Sequence, residues 1–236
     1  MNRALLTLGL AVAAASLTGC AKYPDAGVAG RTKRLVMSMT MTGSVRTGLE
    51  VGGAGLPYVY IFAIKLNKEP SPITDGPFPI VTPGGNGFVS GGCTHYILWD
   101  PLRSPQYTLW RFTDASLASY VQVGIPLSYS TISPGAKTLA CEIDLSQIVP
   151  ASEVDSYQSA QINLLTMNNT LTSGGGRLWD ALGNSSNPVE INRPQIVDLR
   201  RAITYSNASE GNIEPERDAP DPDLDLSDWS IEVRIS

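Results

Sequence analysis

Tyr58-Val59-Tyr60-Ile61-Phe62-Ala63-Ile64-Lys65-Leu66 decides how this chain is read. In an extended strand, side chains alternate between two faces. Tyr58, Tyr60, Phe62, Ile64 and Leu66 therefore share one face, and Val59, Ile61 and Ala63 the other. Both faces are apolar, so this strand belongs in the middle of a sheet covered on both sides. The same alternation recurs on either side of it. Residues 33–42 put Leu35, Met37, Met39 and Met41 on one face. Residues 137–145 put Leu139, Cys141, Ile143 and Leu145 inward, with Thr138, Ala140, Glu142 and Asp144 outward. Residues 229–235 put Trp229, Ile231, Val233 and Ile235 inward. Segments 94–100 and 106–112 read as an aromatic hairpin (Tyr96, Trp99, Tyr107, Trp110, Phe112) across the breakers between Asp100 and Pro105. Residues 121–129 and 161–167 are two further strands, and 195–202 stays open between helix and strand.

The sum is an all-β chain. With 22 glycines and 17 prolines for turns, it predicts a single antiparallel two-sheet β-sandwich. The methionine stripe of the first strand reads as core. Residues 67–92 carry Pro70, Pro72, Pro77, Pro79 and Pro83 among glycines, and no regular element is expected there. That stretch also holds Phe78, Ile80, Val81 and Phe88. It either folds over a sheet face or offers them to a partner, and covering is the expectation. Residues 168–193 are polar and glycine-rich, pinned by Trp179 and Leu182.

The N-terminus carries a second kind of information. Arg3 precedes an apolar run, Ala4 to Leu17, that is too short to span a bilayer, which takes ~20 residues. Leu17-Thr18-Gly19-Cys20 resembles the bacterial lipobox. The resemblance implies cleavage before Cys20 and a diacylglycerol thioether on it. Several acyl chains then hold the protein to the membrane, since one alone holds marginally. On this reading residues 1–19 are the signal peptide, 20–32 an acylated cysteine and tether, and 33–236 the sandwich. Fully extended, the tether reaches ~40 Å. Ala21, rather than Asp, follows the cysteine, which in such lipoproteins points to the outer membrane of a two-membrane cell. A net charge of −5 speaks against a nucleic-acid partner.

Chemistry is sparse. With Cys20 lipidated, Cys93 and Cys141 remain. They are either a disulfide, worth on the order of 4 kcal/mol for a loop of roughly 50 residues, or two buried thiols. His95 is the sole histidine, so any Ser-His-Asp or Cys-His site must be built on it. Alternation puts it on one face with Cys93, Ile97 and Trp99, where a structural role is the expectation. No nucleophile elbow, phosphate loop or dinucleotide fingerprint is present. Residues 206–228 are acidic. Within them Asp221, Asp223 and Asp225 alternate as in a calcium loop, with Glu232 at the twelfth position. Leu226 stands where such a loop turns on glycine, so the alternatives are a Ca²⁺ site and a solvated acidic loop. No other cofactor is expected. Trp99, Tyr107, Trp110 and Trp179 are candidates for stacking on sugar rings, or they are core.

The segments 58–64, 137–148 and 221–233 are similar in layout to the strands of DOMON domains and family-nine carbohydrate-binding modules. That resemblance implies binding rather than catalysis. Three readings follow. The first is a membrane-anchored, non-enzymatic binding module of the cell envelope, with glycan as its ligand. The second is a structural or assembly lipoprotein with an envelope protein as partner. The third is a hydrolase, which needs two carboxylates converging in a cleft.

Overall fold

The computed structural model describes residues 32–49, 56–73, 75–81, 86–169, 176–185 and 192–236. The signal segment, Cys20 and the tether up to residue 31 lie outside them. No helix among the described residues is long and apolar enough to cross a membrane.

The chain forms β1 (Lys33–Met41), β2 (Val59–Asn67), β3 (Pro77–Pro79), β4 (Val89–Gly91), β5 (His95–Trp99), β6 (Tyr107–Phe112) and β7 (Tyr120–Gly124). It continues with β8 (Ser128–Tyr129), β9 (Thr138–Asp144), two 3-10 turns (Leu145–Gln147 and Ala151–Ser156) and β10 (Ser159–Met167). It ends with β11 (Trp179–Ala181), β12 (Gln195–Asp198), β13 (Ile203–Ser206) and β14 (Leu226–Ile235). One sheet runs β13-β14-β1-β9-β8. The other runs β11-β10-β2-β5-β6-β7, with β12 also on β10. Every pairing is antiparallel. The two sheets pack face to face, and the expected sandwich is the fold.

The doubly apolar stretch is β2, between β10 and β5. Tyr60, Phe62 and Ile64 join Met37, Met39 and Trp229 in the core between the sheets, while Val59, Ile61 and Ala63 enter a second cluster on the outer face. The leucine and three methionines of β1 are fully buried. Each such side chain taken from water contributes roughly 1.5–3 kcal/mol.

Two expectations are corrected and one open alternative is decided. Residues 67–92 are not wholly irregular: β3 and β4 make a small hairpin lying on the outer face. Asn163 Nδ2 donates to Pro77 O at 2.9 Å and pins it there. Gly91 makes this approach feasible. Its φ is +71°, and a Cβ would sit 2.5 Å from Gly76 O. Val89 is buried in the outer cluster and Phe88 packs against it, while Phe78, Ile80 and Val81 are half-buried. Residues 121–129 are two strands in two sheets, because Pro126 interrupts them and has no N–H for a ladder. Residues 195–202 resolve as strand β12 followed by a turn.

The ends of the described chain meet. Thr32 N donates to Ser236 O at 2.9 Å, and Ser236 N to Thr32 O at 3.1 Å. β1 rises ~30 Å from there at ~3.3 Å per residue. Residues 42–44, 57–58 and 221–225 therefore lie at the end of the sandwich away from Thr32.

Candidate functional site

Of the four aromatic candidates, the hairpin buries two. Trp99 and Tyr107 point between the sheets and are fully buried. They are core, as alternation from Ile97 and Leu109 requires. Trp110 and Trp179 are half-buried on the outer face of the seven-stranded sheet. They sit on β6 and β11, on opposite sides of β2 and β5.

Trp110 helps to floor a cleft of about 200 Å³ on that face. Tyr96 stacks against it, ring centroids 6.0 Å apart and planes within 5°. Tyr120 meets both edge-on, at 6.1 Å and 5.6 Å. The rim is polar, formed by Asp100, Arg103 and Asn169. Arg103 Nε lies 3.1 Å from Asp100 Oδ2, and its guanidinium stands 5.3 Å above the Trp110 ring. A ligand reaching Trp110 must displace that guanidinium, whereas Tyr120, 39% exposed, offers its ring directly. The sequence did not single out Tyr96 or Tyr120 for this role. Tyr96 stands on β5, on the outward phase it shares with Trp110 across the hairpin, and Tyr120 opens β7, two turns further on.

A second surface adjoins this one. From β7 into β8, Val121, Val123, Ile125, Leu127 and Tyr129 are 37–49% exposed. β7 and β8 are the edge strands of their sheets, so this ridge runs along one side of the sandwich.

The calcium candidates do not converge. Asp221 accepts from the Tyr58 hydroxyl at 2.5 Å and from Asp223 N at 2.9 Å. Asp223 takes Ser44 N at 2.9 Å and pairs with Arg46 Nη2 at 2.8 Å. Glu232 is bound to Arg234 at 2.7 Å on the outside of β14. Only Asp225 turns inward. It joins Asp180 and Asp218, and one carboxylate oxygen of each lies within 4.8 Å of the others. Asp180 and Asp225 are 0% and 1% exposed, and Glu214 beside them is 2% exposed. Burial, then repulsion from Asp218, pushes the Asp180 carboxyl up to about 8. Burial, then Asp180 and Asp218, pushes Glu214 up to about 11. Sequence reasoning missed this group because its members come from residues 180 to 225. Carboxylate oxygens do converge here, within 4.8 Å of one another, with Asp180 and Asp225 buried and Asp218 half-buried.

Cys93 and Cys141 are both free thiols. Cys141 lies between the sheets and Cys93 in the outer cluster, so the seven-stranded sheet separates them and no disulfide forms. Cys93 precedes β5 and faces out with Tyr96, not in with Trp99 as simple alternation suggested. Together with His95 it lines a cavity of about 550 Å³ at the end near the chain termini. Its Sγ donates to His95 O at 3.2 Å, and His95 Nδ1 lies 3.0 Å from Thr94 Oγ1. Burial pushes the thiol up to about 12. Burial, then Arg111, pushes the imidazole down to about 4. Both groups are neutral at pH 7, the opposite of an activated thiolate–imidazolium pair.

The fold and these sites define a two-sheet β-sandwich with an aromatic cleft on one outer face. Comparison with known proteins finds no match for this chain among protein families, curated proteins or solved structures.

Proposed function

We propose that this chain is a lipid-anchored binding module of the bacterial cell envelope, held through Cys20, whose ligand is a glycan. The observation that carries the reading is the cleft of Tyr96, Trp110 and Tyr120 under a rim of Asp100, Arg103 and Asn169. Flat aromatic faces take the C–H faces of a sugar, and a few polar groups at the rim fix its hydroxyls. The test has two arms. Growth with an alkyne fatty acid should label the chain and Cys20→Ser should lose the label. Binding of the purified chain to a glycan panel should find a ligand whose retention falls about tenfold or more in Trp110→Ala or Tyr120→Ala. No retention across the panel defeats the glycan reading.

One observation favours a second reading, an envelope protein as partner. The 120–129 ridge joins apolar side chains to unpaired strand edges, the two ingredients of strand addition. A photo-crosslinking residue at Val123 should then trap a protein in the intact envelope, and one at Trp110 should not.

A further inference from the structure

We propose that Asp180, Asp218 and Asp225, with Glu214 beside them, form a binding site for a hard divalent cation, calcium, that ties residue 180 to the segment 214–225. The oxygens are already gathered. One from each aspartate lies within 4.8 Å of the other two, and ligands at 2.3–2.6 Å around one Ca²⁺ lie at most about 5 Å apart.

The carboxylates are oriented from behind. Asp180 Oδ1 accepts from Ala181 N at 2.9 Å and from Ser185 Oγ at 2.5 Å, and its Oδ2 accepts from Leu226 N at 2.8 Å. Asp225 Oδ1 accepts from Ala219 N at 3.0 Å, and its Oδ2 from Arg217 N at 2.8 Å and from the Thr42 hydroxyl. Asp218 Oδ2 accepts from Ser185 N at 2.6 Å. These donors are backbone amides and hydroxyls, which orient a carboxylate without adding a formal positive charge. Among the described residues no Lys or Arg forms an ion pair with Asp180, Asp225 or Glu214.

Glu214 supplies an independent observation. It is 2% exposed. Its Oε2 accepts from Gly183 N at 3.1 Å, three residues beyond Asp180, while its buried Oε1 has no hydrogen-bond partner. A buried carboxylate oxygen without a donor costs about 1–3 kcal/mol or more, and the positive charge of a cation held by the neighbouring aspartates offsets that cost. The donor set is oxygen alone, which suits Ca²⁺ or Mg²⁺ and not zinc or copper. Ligands drawn from separate parts of the chain, all of them carboxylates, suit the looser shell of calcium over the octahedron of magnesium. Asp218, half-buried, is the side from which an ion enters.

The test is thermal unfolding of the purified full chain, stripped with EDTA and then titrated with CaCl₂, beside equilibrium dialysis with ⁴⁵Ca. The expected result is a saturable rise of the midpoint by several degrees and one ion retained per chain. Asp218→Asn should weaken that response at least tenfold, and Asp221→Asn, which lies outside the site, should keep it. Asp180→Asn adds the same test at a buried ligand. Because the wild-type titration stands alone, a variant that fails to fold does not obscure the answer. No midpoint shift and no retained calcium up to about 10 mM, beyond the range of weak extracellular sites, overturns the proposal. A Ca²⁺ response that survives in Asp218→Asn and is lost in Asp221→Asn overturns it equally.

Discussion

Gly43 shows how little room one residue can have. Its N–H donates to Pro222 O at 2.6 Å, and a Cβ there would lie 2.7 Å from that same carbonyl and 2.5 Å from Asp223 Oδ1. The carbonyl is backbone and cannot swing away. Gly43→Ala should therefore cost about 1–3 kcal/mol, read as a lower urea midpoint with unchanged slope. His95 makes a prediction of a different kind. Its folded imidazole is depressed to about 4 by burial, below the ordinary value of ~6.5. Between those values the unfolded chain binds the proton and the folded chain does not. The residue's contribution is therefore present above pH ~6.5 and lost as pH falls toward 4. It amounts to roughly 3 kcal/mol at most. It should appear as the difference between wild type and His95→Asn in unfolding free energy at pH 7 and pH 4. Equal pH dependence in the two proteins would refute it.

The edge pair β7 and β8 carries the next prediction. Because Val121 and Val123 face water, 42% and 37% exposed, lysine at either should change stability by less than about 0.5 kcal/mol. Leu109, one strand inward and fully buried, should cost about 2–5 kcal/mol on truncation to alanine. Both are measured by urea unfolding, and a large loss at Val123 would mean that the ridge is packed. The thiols test the sheet between them. Cys93 and Cys141 are 7% and 3% exposed, so a thiol reagent should leave both unmodified in the native protein. Both should titrate on unfolding without reductant. Absence of those two thiols in the unfolded, unreduced chain would mean that they are bonded.

At the scale of the molecule, β14 lies between β13 and β1, and it pairs with nine successive residues of β1. Trp229, Ile231 and Val233 place it in the core between the sheets. Removing residues 226–236 strips one sheet of its second strand and opens that core. The expected outcome is loss of the cooperative unfolding transition, followed by near-UV circular dichroism or tryptophan fluorescence. A retained sharp transition would show that the sandwich closes without β14.

The chain itself determined its fold class through period-two alternation, which is local and survives in any context. Residues 33–41, 58–66, 138–144 and 229–235 announced their buried faces, and the doubly apolar stretch announced its central place. Local chemistry also marked the turns. What alternation could not carry was anything depending on which strands become neighbours. Trp99 and Trp110 look alike in sequence, yet one phase of the hairpin faces the other sheet and the other faces out. Cys93 and Cys141 look like a pair, yet a sheet runs between them. Asp221, Asp223 and Asp225 look like a set, yet Asp225 turns away to meet Asp180 and Asp218. An acidic node or an aromatic cleft is a coincidence of residues brought close by long-range pairing, and that proximity exists only once both sheets have closed over their common core.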